Sequence, residues 1–209
     1  RGLMSAPGRR LTGAPRRKPA GERHFGVAAG LRTPALARPS IVFSATTMAV
    51  GIIVTFLPLA VTRASGNLAG MALLAQPATS TLARCLAGRY GDRHGAEGLL
   101  VPGLLVSAGG MLILALTAVP AAVIAGAVVF GAGFGITQNA SMTLMYARVP
   151  ASGYGTVSAL WNLAYDTGMG AGAVAFGVVT AWTGYSAGFA LTAALMLAAL
   201  VPARREAFS

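Results

Sequence analysis

LLVPGLLVSAGGMLILALTAVPAAVIAGAVVFGAGFGITQNASMTLMY, residues 99–146, holds no charged side chain. A helix that crosses the ~30 Å hydrocarbon core of a bilayer uses about 20 residues. The stretch is too long for one crossing and long enough for two. Pro120 lies near its middle and lacks the amide that a continuing helix requires. The run therefore divides there, into spans at about 99–118 and 121–146.

Working outward, the same pattern repeats. Towards the N-terminus, Ile41 to Val61 is an apolar run that ends at Thr62, Arg63, Ala64, Ser65, Gly66 and Asn67. Leu68 to Ala87 is the next, broken only by Arg84, with Pro77 expected to kink it. The polar segment Gly88 to Gly98 separates it from the quoted stretch. On the other side, Arg148, Pro150, Ser152 and Gly153 form a break. Gly155 to Ala181 follows, with Asp166 as its single charge; Gly184 marks a turn, and Tyr185 to Val201 is the last run. The reading is an all-α membrane protein, a six-helix bundle over residues 39–203 with spans near 41–61, 68–87, 99–118, 121–146, 155–181 and 185–202.

Composition agrees. Hydrophobic residues make up 55% of the chain and charged residues 10%, with a mean hydropathy of +0.67. Soluble domains carry about 25% charged residues. The net charge of +11 is unevenly placed. Residues 1–38 carry Arg1, Arg9, Arg10, Arg16, Arg17, Lys18, Arg23, Arg32 and Arg38 against one acid, Glu22. This segment is rich in Pro, Gly and Ala, lacks apolar periodicity, and reads as a disordered basic linker or tail. A targeting peptide and a segment that binds anionic headgroups fit the same composition. Residues 204–209 form a short C-terminal tail.

Basic residues favour the cytosolic side of membrane proteins. With the N-terminus in the cytosol, six spans put Arg84, Arg89, Arg93, Arg148, Arg204 and Arg205 on that side and only Arg63 on the other. An odd number of spans breaks this pattern. Tyr90, Tyr146 and Tyr154 then fall at the cytosolic interface, and Trp182 and Tyr185 at the outer one. The expected location is the plasma or inner membrane, multi-pass, with both termini cytoplasmic.

Asp166 lies near the middle of its span. A carboxylate at that depth costs about 2.5–3.5 kcal/mol on insertion scales, and such groups usually face a bundle interior or a wet cavity. Residues four apart share a helix face, so Ser158, Asn162, Asp166 and Gly170 form a polar stripe, with Trp161 beside it. Gln138 and Asn139, on the preceding span, are candidates to line the same path for a polar or cationic substrate. The cost of burying its charged form suits Asp166 to taking up and releasing a proton. An alternative is that Asp166 only hydrogen-bonds a neighbouring helix or a water. Gly131 with Gly135, and Gly168 with Gly172, have the GxxxG spacing that lets helices approach closely.

Other classes fit poorly. No His, Asp and Glu residues fall at metal-ligand spacing, and no serine sits in a GxSxG setting, so neither a catalytic residue nor a cofactor is assigned. The single cysteine, Cys85, reads as a small packing residue and excludes an internal disulfide. The basic arm lacks the interleaved aromatics of a nucleic-acid interface. The partners expected are the bilayer and a small-molecule substrate.

Gly88-Arg89-Tyr90-Gly91-Asp92-Arg93-His94-Gly95 resembles the cytosolic signature of the major facilitator superfamily, G-x-x-x-D-R-x-G-R-R/K. The glycines, Asp92 and Arg93 are present, while Ala96-Glu97 stands in place of the final basic pair. In that family the signature loop joins the second and third helices of each six-helix half, and here it joins the second and third expected spans. Phe56-Leu57-Pro58-Leu59 resembles the close of the family's seventh helix, Arg148-Val149-Pro150 with Gly153 and Gly155 the loop before the eleventh, and Asn162 to Gly172 the eleventh itself. The resemblance covers about residues 25–205. It implies helices seven to twelve of a twelve-helix transporter, a proton-coupled exporter whose N-terminal six-helix half is missing from this chain. It also implies that Gly88, Arg89, Asp92, Arg93 and Gly95 latch the cytosolic face against that half. The competing expectation is a stand-alone six-helix protein that acts as an assembly partner or homodimer.

Overall fold

The computed structural model describes residues 26–61 and 67–207. Among them are helices α1 (Val27–Arg32), α2 (Pro34–Ala60), α3 (Leu68–His94), α4 (Leu100–Leu114), α5 (Pro120–Ala147), α6 (Tyr154–Ala198) and α7 (Leu200–Ala207). No strand occurs among the described residues. Residues 1–25 and Arg63 lie outside them.

Pro34 and Pro120 each occupy the first turn of their helix, where the missing amide costs nothing. Pro120 thus divides the long uncharged stretch, although the helix before it stops at Leu114, short of the expected 118. α3 runs without interruption through Pro77 and on to His94. The first described part of the expected disordered segment is helical, as α1 and the first turns of α2.

α6 extends over 45 residues. A straight helix of that length would measure roughly 68 Å at 1.5 Å per residue, far more than the bilayer core. It folds back at Gly184, whose φ of 77° is costly for any residue with a Cβ. The arms 154–183 and 185–198 form a hairpin in which Phe176 meets Phe189 with ring centroids 5.1 Å apart. Among the described residues, four stretches are long and apolar enough to cross a membrane: Pro34–Ala60, Glu97–Leu114, Pro120–Ala147 and Ala151–Glu206, the last containing the hairpin. α3 is as long as α2, at 27 residues, but Gln76, Thr79, Ser80, Thr81 and Arg84 make it less apolar.

α5 packs mainly against α3 and α4, and α6 mainly against α2. An aromatic spine ties the two groups together. Phe130 stacks on Phe134 and Phe134 on Phe43, each pair at 6.1 Å, and Phe43 stacks on Trp161 at 4.4 Å. Buried hydroxyls are satisfied largely within their own helices. Ser107 bonds the Gly103 carbonyl at 2.8 Å and Thr137 the Gly133 carbonyl at 3.0 Å. That is the economical solution where water is absent. The outer surface is apolar, with Leu74, Leu112 and Val174 exposed, as suits lipid contact.

Candidate substrate pathway and a buried carboxylate cluster

Asp166 lies mid-way along the first arm of α6, with its side chain exposed. It opens onto a cleft of about 280 Å³ between α6 and α2, lined by Gly51, Val54, Thr55, Met169 and Gly170. The helices can approach here because Gly51 rests directly on the Met169 carbonyl. A lone glycine inside an apolar run is the sequence signal for such an approach.

Asn162 is also exposed, and its amide donates to the Ser158 carbonyl at 2.9 Å. Ser158 is turned aside: its hydroxyl meets the Tyr146 hydroxyl of α5 at 2.6 Å. Four residues turn an α-helix by about 400°, so each step of four drifts by about 40°. Asn162 and Asp166 therefore share an open face, while two steps from Asp166 to Ser158 reach the α5 side. Trp161 belongs to the aromatic spine, stacked on Phe43, and its Nε1 is buried without a hydrogen-bond acceptor among the described residues.

Gln138 and Asn139 face α3. The Gln138 Oε1 accepts from Arg84 at 3.4 Å, and the Asn139 amide lies 3.4 Å from where a Cβ on Gly88 would stand. The structure does not bring this pair to Asp166, because α5 turns that face towards α3. Gly131 sits on the Gln76 carbonyl and Thr79 hydroxyl, and Gly135 on the Ser80 carbonyl. Gly168 lies against Ser44 and Thr47, and Gly172 against the Met48 carbonyl. Thr47 crosses the same seam to bond the Ala164 carbonyl at 3.2 Å.

The signature segment is not a loop. Gly88 to His94 forms the last turns of α3, and Gly95, at φ 87°, ends the helix while its amide bonds the Gly91 carbonyl at 2.9 Å. Arg89, Asp92 and Arg93 are exposed and make no ion pair among the described residues. Arg93 suits the negative end of the helix dipole, whereas Asp92 opposes it. His94 stacks on Tyr90 at 4.5 Å. Cys85, expected to be a packing residue, is exposed on α3.

The sequence reading missed one cluster. Glu206 of α7 is fully buried, with Oε1 2.9 Å from Arg148 Nη2 and Oε2 3.8 Å from Arg38 Nη1. Arg38 also donates to the Arg205 carbonyl at 3.5 Å. The carboxylate thus joins the start of α2, the end of α5 and the C-terminal helix. The available signal was that Glu206 is the one acid following Asp166 in the sequence, placed among basic residues expected on the same side. No spacing rule connects it to Arg38 or Arg148.

The Major Facilitator Superfamily matches the chain over residues 40–206. No curated protein matches it.

Proposed function

The chain belongs to the major facilitator superfamily, a family of membrane transporters, and on that premise we propose that it forms one six-helix half of a carrier that exports a small molecule by alternating access in exchange for protons. The observation that carries this reading is the exposure of Asp166 in the middle of a membrane-length arm. Left against lipid, that carboxylate would cost about 2.5–3.5 kcal/mol. Covered by a second bundle across a wet cleft, it becomes a site for a proton or a cationic group. Asn162, Gly170 and Thr55 supply the polar and small groups around it.

The signature helix end supports the same assembly. Asp92 opposes its own helix dipole and, with Arg89 and Arg93, points away from the bundle, so a facing surface of opposite pattern is its natural partner. The arrangement of the basic residues supports a cytosolic placement for this end. Arg38 and Arg148 meet at Glu206, Arg38 donates to the Arg205 carbonyl, and Arg84 bonds Gln138 in the same half of α5. Gln138 and Asn139 belong to the α3–α5 seam and join the pathway only if that seam opens during transport.

The test is Asp166→Asn in the transporter assembled from both halves. Expected is normal membrane insertion with proton-driven transport reduced by at least about tenfold, a barrier change of about 1.4 kcal/mol. Wild-type transport with an unchanged dependence on the proton gradient would remove Asp166 from the coupling role.

A further inference from the structure

A second concavity lies around α6 from Asp166. It is a groove of about 760 Å³ walled by α2, by both arms of α6 and by α7. Its walls are apolar and its floor is built from small side chains: Ser44 and Ala45 on α2, Gly168 and Ala171 on the first arm, and Ala198 on the second. Arg38 and Arg205 stand at one end. On α2 the lining runs from Arg38 to Met48, and on the hairpin and α7 from Leu195 to Arg205. Either run covers roughly 15 Å at 1.5 Å per residue, about the depth of one leaflet of a ~30 Å core.

We infer that this groove is a binding site for one anionic phospholipid. Its phosphate sits at Arg38 and Arg205, and an acyl chain lies along the small-residue floor towards Met48 and Leu195. Charge decides the occupant. Arg38 and Arg148 meet the single carboxylate of Glu206, and Arg204 and Arg205 directly precede it on α7, so basic residues outnumber acids at the mouth. The Arg205 guanidinium makes no ion pair among the described residues. Basic pockets between membrane helices attract anionic headgroups in this way. A second copy of the chain docked on itself here would set arginine cluster against arginine cluster. A zwitterionic lipid fills the trough equally well but gains less from the two guanidiniums. The inference needs only that the helices span a bilayer, and it stands whether or not Asp166 couples to protons.

Native mass spectrometry of the chain in detergent, with dioleoyl phosphatidylglycerol or dioleoyl phosphatidylcholine added at equal concentration, tests it. Retention of the anionic lipid should exceed that of the zwitterionic one by about fivefold or more, since each basic residue near the surface contributes about 1 kcal/mol. Arg205→Gln leaves the Glu206 ion pairs in place and should lower the preference about fivefold. Ala198→Phe, which fills the trough, should lower retention of both lipids. Equal retention of the two lipids by the wild type would overturn the proposal, as would a preference that Arg205→Gln leaves undiminished. Displacement of the lipid by glycerol phosphate at comparable concentration would show a bare anion pocket and would also overturn it. If Arg205→Gln loses its helical circular dichroism, the wild-type preference and the Ala198→Phe variant decide between the outcomes.

Discussion

Glu206 and Asp166 are both acids in an apolar protein, yet their surroundings assign them opposite tasks. Glu206 is enclosed by two arginines and holds three segments together. Asp166 is open, and among the described residues no cation lines its cleft. Removing one partner from a fully buried ion pair costs about 3–5 kcal/mol; here the Arg38 and Arg148 side chains are 32% and 28% exposed, so the loss of Glu206 costs less than that. Glu206→Gln should therefore lower the thermal midpoint of the detergent-solubilised protein clearly, whereas Asp166→Asn should leave it nearly unchanged. Scanning fluorimetry of the two variants side by side reads the difference. Equal midpoints for Glu206→Gln and wild type would mean that the cluster is a surface contact of little weight. The combined change of Glu206, Arg148 and Arg38 to methionine should recover part of the loss, since buried ion pairs rarely outperform apolar packing.

At the scale of elements, helix spacing is set by glycines on carbonyls. A Cβ on Gly131 would collide with the Gln76 carbonyl of α3, which cannot move without its helix. A Cβ on Gly170 meets nothing within 4 Å. Gly131→Val should separate α3 from α5 and destabilise by about 1–3 kcal/mol, the usual cost of overpacking. Gly170→Ala should be neutral or slightly stabilising, because glycine is the poorer helix former. Yield of monodisperse protein and the thermal midpoint distinguish the pair. Similar behaviour of the two variants would contradict the close α3–α5 seam.

For the molecule as a whole, the long charge-free runs carried most of the fold. Lipid leaves no alternative to helix for such segments, so α2, α5 and the hairpin arms follow from where charges and prolines stand. Gly184 was legible as a turn because only a flexible residue suits its positive φ. The sequence was less informative where a polar segment kept helical geometry. Gly88 to His94 reads as a loop, but the helix continues until Gly95 supplies a positive φ. The stripe through Asp166 was half legible. Its spacing put Asn162 beside Asp166, and both are exposed, while the drift of an ideal helix takes Ser158 away to Tyr146. The ion pairs of Glu206 bridge residues far apart in sequence, and no local pattern encodes them.

In the proposed assembly the face bearing Asn162, Asp166 and Gly170 meets water or a second bundle, not lipid. Cysteine accessibility in native membranes tests it most directly. With Cys85 first replaced by serine, Asn162→Cys and Gly170→Cys should react with a charged, water-soluble thiol reagent. Leu112→Cys, on the apolar outer surface of α4, should not. Labelling at residues 162 and 170 but not at 112 is the result predicted. Protection of all three positions, with the protein inserted and folded, would place this face against lipid and contradict the account.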